Sequence, residues 1–209
     1  MRPLWLYLRS RSSRQALLRI LALAALTWLL LWLGEESVFV PLLQTMMPVA
    51  VASVIGLSAD SPFAELEETT SRSRVLLRLA HLGGLLLVAA VALRLGDFVV
   101  PQPGSWPALV RNTLGYTGLT LVAWRLFGAP YSWVLPLLYA SLVFASSGAH
   151  LWAWPLYEPG EQEALMAALA LLGVGMACAL SPVPFAPAQG RMVGARIALN
   201  RRSGRQSNR

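Results

Sequence analysis

Six apolar stretches, at 16–33, 38–57, 75–95, 109–127, 132–149 and 164–185, take up most of this 209-residue chain. About 20 mostly apolar residues in a helix cross a bilayer core of about 30 Å. Lipid offers backbone N–H and C=O groups no partners, so a crossing segment must satisfy them within itself, as a helix does. The expected fold is therefore all-α, a polytopic membrane protein with six transmembrane helices. The break between the second and third stretches carries Asp60, Glu65, Glu67, Glu68, Arg72 and Arg74. It is too polar for lipid. It must face water, where a soluble partner can reach it.

Composition agrees with one membrane domain and leaves no length for a second, soluble one. The chain is 56% hydrophobic and 13% charged, against about 25% charged in soluble domains. Cys178 is the single cysteine, so there is no internal disulfide and no CxxC pair for a metal. Every basic residue is arginine. Without lysine there is no P-loop lysine to reach a phosphate and no amine for a Schiff base. The chain itself is not expected to be an enzyme, and any ATP it uses must bind another chain. His81 and His150 fall at opposite membrane faces, and no HExxH is present, so no metal site is expected. Ala145-Ser-Ser-Gly148 resembles the serine stretch of an intramembrane protease, but no base lies at its depth. No carboxylate sits in mid-span to relay protons. The basic charge follows topology, and no nucleic-acid partner is expected.

Arginine placement orients the helices by the positive-inside rule. With the N-terminus in the cytoplasm, every arginine except Arg94 and Arg111 falls inside. Glu35, Glu36, Asp97, Glu158, Glu161 and Glu163 fall outside. Both termini are expected in the cytoplasm, in a bacterial cell membrane. The first apolar run lacks a small-residue cleavage site, so it reads as a span rather than a cleaved signal.

Along the chain, residues 1–14 read as an amphipathic leader, with Trp5, Leu6, Tyr7 and Leu8 set among arginines at the inner leaflet. A disordered basic leader is the alternative. Residues 15–186 form the six-span domain, and 187–209 an Arg-rich cytoplasmic tail drawn to anionic lipid. Pro48 should kink the second span and free a carbonyl. Gln44, Thr45 and that carbonyl then either line a path or pack. At 61–71, Asp60 or Ser61 caps a short cytoplasmic helix starting at Pro62. Phe63, Leu66 and Thr70 share one of its faces. Acids lead it and arginines follow, which suits the helix dipole. An extended outer loop is expected over 99–107, with Arg94 paired to Asp97 and Trp106 at the interface. The fourth span carries Asn112, Thr113, Gly115, Tyr116, Thr117, Gly118 and Thr120, which suit close packing in lipid or a polar groove. A tight turn on Gly128 and Pro130 follows. Trp152, Trp154 and Tyr157 suit an outer aromatic belt, with a short re-entrant helix pair there.

This layout resembles the permease subunit of a type-two ATP-binding-cassette (ABC) exporter. The resemblance rests on the leader, the six spans, the acidic helix between spans two and three, and the outer aromatic segment. Asn112-Thr-Leu-Gly-Tyr-Thr-Gly-Leu119 and Trp133-Val-Leu-Pro-Leu-Leu-Tyr139 are similar to small actinobacterial members. The resemblance implies that 61–71 is a coupling helix docking on a separate ATPase, with Phe63, Glu65, Leu66, Glu67 and Glu68 as contacts. It implies ATP and Mg held by that partner, a second permease half, and a path for an amphipathic substrate. Gln44, Thr45, Pro48 and Tyr139 would line that path. The substrate class is a peptide antibiotic, drug, lipid or glycan. The alternative is a membrane scaffold or assembly factor that binds a partner through the acidic helix.

Overall fold

The computed structural model describes residues 13–33, 39–59, 73–95, 105–146, 152–158 and 160–181. Among these residues the fold is all-helical. The elements are α1 (Ser13–Leu33), α2 (Phe39–Ser58), α3 (Ser73–Leu95), α4 (Ser105–Phe127), a 3-10 turn at Ala129–Tyr131, α5 (Val134–Ala145), a second 3-10 turn at Trp154–Leu156, and α6 (Gln162–Leu180). The leader up to residue 12, the coupling segment 61–71 and the tail 187–209 lie outside the described residues. So do the coupling contacts Phe63, Glu65, Leu66, Glu67 and Glu68.

Helix ends follow local chemistry. α1 starts at Ser13, inside the segment assigned to the leader. α4 starts at Ser105 and takes in the last three residues of the loop expected over 99–107, whose earlier residues lie outside the described ones; Pro107 falls in the first turn, where proline has no intrahelical N–H bond to lose. α6 stops at Leu180, since Ser181 precedes Pro182 and is driven extended, with φ −60 and ψ 130. Gly128 has φ 86, a conformation open to glycine, and turns the chain from α4 into the first 3-10 turn. Ser132 Oγ then closes that turn by donating to the Ala129 carbonyl at 2.9 Å. α5 has 12 residues, about 18 Å of helix, and is shorter than the stretch expected at 132–149. The residues described between α5 and α6 hold one 3-10 turn, and 147–151 and 159 of the segment expected to form a re-entrant pair lie outside the described residues.

Among the described residues, three helices have the length and composition to cross a membrane: Arg14–Leu33, Val75–Leu95 and Gln162–Leu180. Their outward faces are apolar. Leu18 is 56% exposed, Leu76 69% and Met166 67%. Patches of this kind are not kept in water by a soluble monomer.

α4 is the centre of the bundle. It packs against α2, α3, α5, α6 and both 3-10 turns, while α1 packs on α2 and α3. One cluster joins Ile20, Val51, Ile55, Leu82 and Leu121. A second joins Val49, Ala52, Tyr116, Ala140, Trp154 and Ala168. α6 meets α4 through a seam of small residues, Ala164, Ala168, Gly175 and Ala179. A methyl group at Gly118 would overlap the backbone of Leu171 and Leu172, and one at Gly175 would overlap the backbone of Gly118. The two helices therefore touch backbone to backbone, the device by which small residues associate helices in lipid. Thr113 and Thr117 are buried and donate to carbonyls four residues back, each at 2.7 Å. These hydroxyls pack against their own helix and line no groove. Toward the Gly128 end, the Arg78 guanidinium lies 4.6 Å from the Trp124 ring centroid and donates to the Ala59 carbonyl at 3.3 Å. That contact ties α2, α3 and α4 beside the residues that enter the acidic segment.

Candidate functional site

The site is assembled around two consecutive residues of α4, Arg111 and Asn112. Arg111 is 3% exposed and Asn112 is fully buried. Their network starts with a proline. Pro48 has no N–H, so the carbonyl four residues back in α2, that of Gln44, loses its helical partner. An unpaired buried carbonyl is costly. Asn112 Nδ2 fills the vacancy, donating to Gln44 O at 3.0 Å. The same nitrogen donates to the Pro155 carbonyl at 3.0 Å. Asn112 Oδ1 in turn accepts from Arg111 Nε at 3.2 Å.

The rest of the Arg111 guanidinium grips residues 152–158. Nη1 donates to the Glu158 carbonyl at 2.9 Å, and Nη2 to those of Tyr157 at 2.9 Å and Pro155 at 3.4 Å. A buried cation is here surrounded by carbonyl dipoles. Planar, forked donors suit arginine to this task in a way lysine could not match. One residue pair thus binds α2, α4 and the segment before α6 together.

Aromatic rings cover the network on one side. Trp154 is 2% exposed, and its ring occupies the space a side chain at Gly115 would need. Its centroid lies 5.5 Å from that of Tyr116 and 6.2 Å from that of Tyr139. Tyr139 also meets Tyr116 edge-on at 6.3 Å. Its hydroxyl donates to the Trp152 carbonyl. The buried Tyr116 hydroxyl has no hydrogen-bond partner among the described residues. On the other side a groove of about 230 Å³ is lined by Trp106, Val110, Arg111, Leu114, Glu161 and Leu165, among others. Trp106 of this lining also meets Arg94, whose guanidinium lies 4.7 Å from the ring centroid.

No family model, curated protein or solved structure matches the chain.

Of the four residues expected along a path, Gln44 contributes its carbonyl to this network and Tyr139 belongs to the aromatic cluster, while Thr45 and Pro48 are buried in α2. Arg111 was missed as a site residue. In the sequence it stands out only as one of two arginines against the charge bias. That was the available signal, because an ionisable residue inside an apolar helix is a functional candidate by default.

Proposed function

We propose that the chain is the membrane-spanning subunit of an ATP-driven ABC exporter, anchored in a bacterial cell membrane by six helices with both termini inside. The observation that carries the six-span reading is α4. Its 23 residues are long enough to cross, and its polar groups face protein. Arg111 and Asn112 are satisfied by carbonyls, and the buried threonines Thr113 and Thr117 by their own helix. Such a helix scores as polar yet is sheltered from lipid by its neighbours. The short α5 continues from the preceding 3-10 turn, so that Ala129–Ala145 is one apolar unit. Segment 61–71 would couple to ATPase subunits that hold ATP and Mg, and two permease halves would enclose an amphipathic substrate.

One observation favours a membrane scaffold instead. The α4 hydroxyls Thr113 and Thr117 are committed to backbone and line no polar path. The two readings separate on purification. A tagged chain from its native host, in mild detergent, is expected to bring down a stoichiometric soluble ATPase, identified by mass spectrometry. Reversing charge at Glu65, Glu67 and Glu68 is expected to release that ATPase while leaving membrane insertion intact. A different stable partner, kept or lost with the same acids, would establish the scaffold. A reporter fused after Arg209 is expected to read cytoplasmic, and an external signal would exclude an even number of spans.

A further inference from the structure

We propose that residues 152–158 are a latch on the Arg111 end of the bundle, and that Glu161 is the partner Arg111 takes when the latch lifts. This goes beyond the exporter reading and does not need it.

The latch has little structure of its own. Its internal backbone bonds are those of one 3-10 turn, Leu156 N to Ala153 O at 3.0 Å and Tyr157 N to Trp154 O at 3.3 Å. What fixes it is external. Three of its carbonyls, at 155, 157 and 158, end on Arg111 or Asn112. Trp154 is its plug, seated on Gly115 between Tyr116 and Tyr139. Trp152 is 42% exposed, and Glu158 is also exposed. The side chains at its two ends are exposed, while their carbonyls are held, that of Trp152 by the Tyr139 hydroxyl and that of Glu158 by Arg111 and by the Glu161 N–H at 3.2 Å.

Lifting it would strand a buried guanidinium, and a charge without acceptors is not tolerated in such a place. The structure supplies a second acceptor. Glu161 lines the same groove as Arg111. It occupies the N-cap position of α6, yet its side chain makes no capping bond, and it is exposed. Its charge already acts on Arg111 in the closed position, and its carboxylate makes no capping bond that would have to break for a direct pair to form. A guanidinium–carboxylate pair is the strongest kind of hydrogen bond available to Arg111. One cation with two acceptor sets at one groove is a two-position element. In the closed position it holds three backbone carbonyls, and in the open position one carboxylate. Removing either set shifts the population toward the other.

The two variants therefore act in opposite directions. The reporter is Ala153→Cys in a Cys178→Ala background, since Ala153 is fully buried under the closed latch. The full-length chain is purified in mild detergent, and the rate of labelling by a hydrophilic maleimide is measured. Arg111→Gln is expected to speed labelling about tenfold or more, as charge-assisted bonds to the latch are lost. Glu161→Gln is expected to slow it about threefold, the worth of one part-exposed ion pair. Glu161 is on the surface, so that variant keeps its fold even if Arg111→Gln does not. An unchanged or faster rate in Glu161→Gln overturns the second position. A rate unchanged by Arg111→Gln in a monodisperse sample overturns the latch.

Discussion

Gly118→Leu is expected to keep the bundle from assembling. The position lies where α4 crosses α6, and an added Cβ meets the carbonyl of Leu171 and the nitrogen of Leu172. Overpacking in a core usually costs about 1–3 kcal/mol, because neighbouring side chains shift rotamers. Here the obstacle is backbone, which has no rotamer to change. Relief comes only by moving α6 off α4, which opens the seam of Ala164, Ala168 and Gly175. The cost therefore sits at or above the top of that range. Gly173→Leu is the matched control. It lies on α6, the helix that Gly118 meets, and an added Cβ there meets nothing within 4 Å. Detergent-solubilised protein followed by size-exclusion chromatography and thermal unfolding separates the two. Gly118→Leu should be lost or polydisperse, and Gly173→Leu should match wild type. A wild-type profile for Gly118→Leu would mean that α4 and α6 do not meet through their backbones.

Apolar length alone placed α1 and α3 to within about three residues, since nothing inside those runs competes with a helix. It overran α6, which Pro182 ends early, and α5, which stops at Ala145. α4 was the least readable. Its threonines, glycines, Arg111 and Asn112 look the same in sequence whether they face a path or a packed neighbour. Only the third dimension separates those readings. Pro48 was legible as a proline that frees a carbonyl inside a helix, because the rule behind it is local. The donor that takes that carbonyl was not legible, because Asn112 lies 68 residues away from Gln44. Arg111 was visible as a breach of the charge bias, but nothing in the sequence said that its acceptors are backbone carbonyls.

Asn112→Ala should cost about 3 kcal/mol of stability, because it orphans the Gln44 carbonyl and Arg111 Nε at about 1–3 kcal/mol each. The Pro155 carbonyl keeps its bond from Arg111 Nη2, so it adds little. What makes the claim specific is the second substitution. Pro48→Ala restores an N–H to α2 four residues after Gln44, and the helix can then satisfy that carbonyl itself. In the Pro48→Ala background, Asn112→Ala should cost about 1–2 kcal/mol less than in wild type. The remainder is what Asn112 does for Arg111. Thermal or denaturant unfolding of the four proteins in one detergent gives the coupling directly. Equal costs in the two backgrounds would show that Asn112 does not serve the carbonyl freed by Pro48. A reduced cost would establish that Pro48 in α2 and the polar pair in α4 form one unit, with each tolerable in an apolar bundle because of the other.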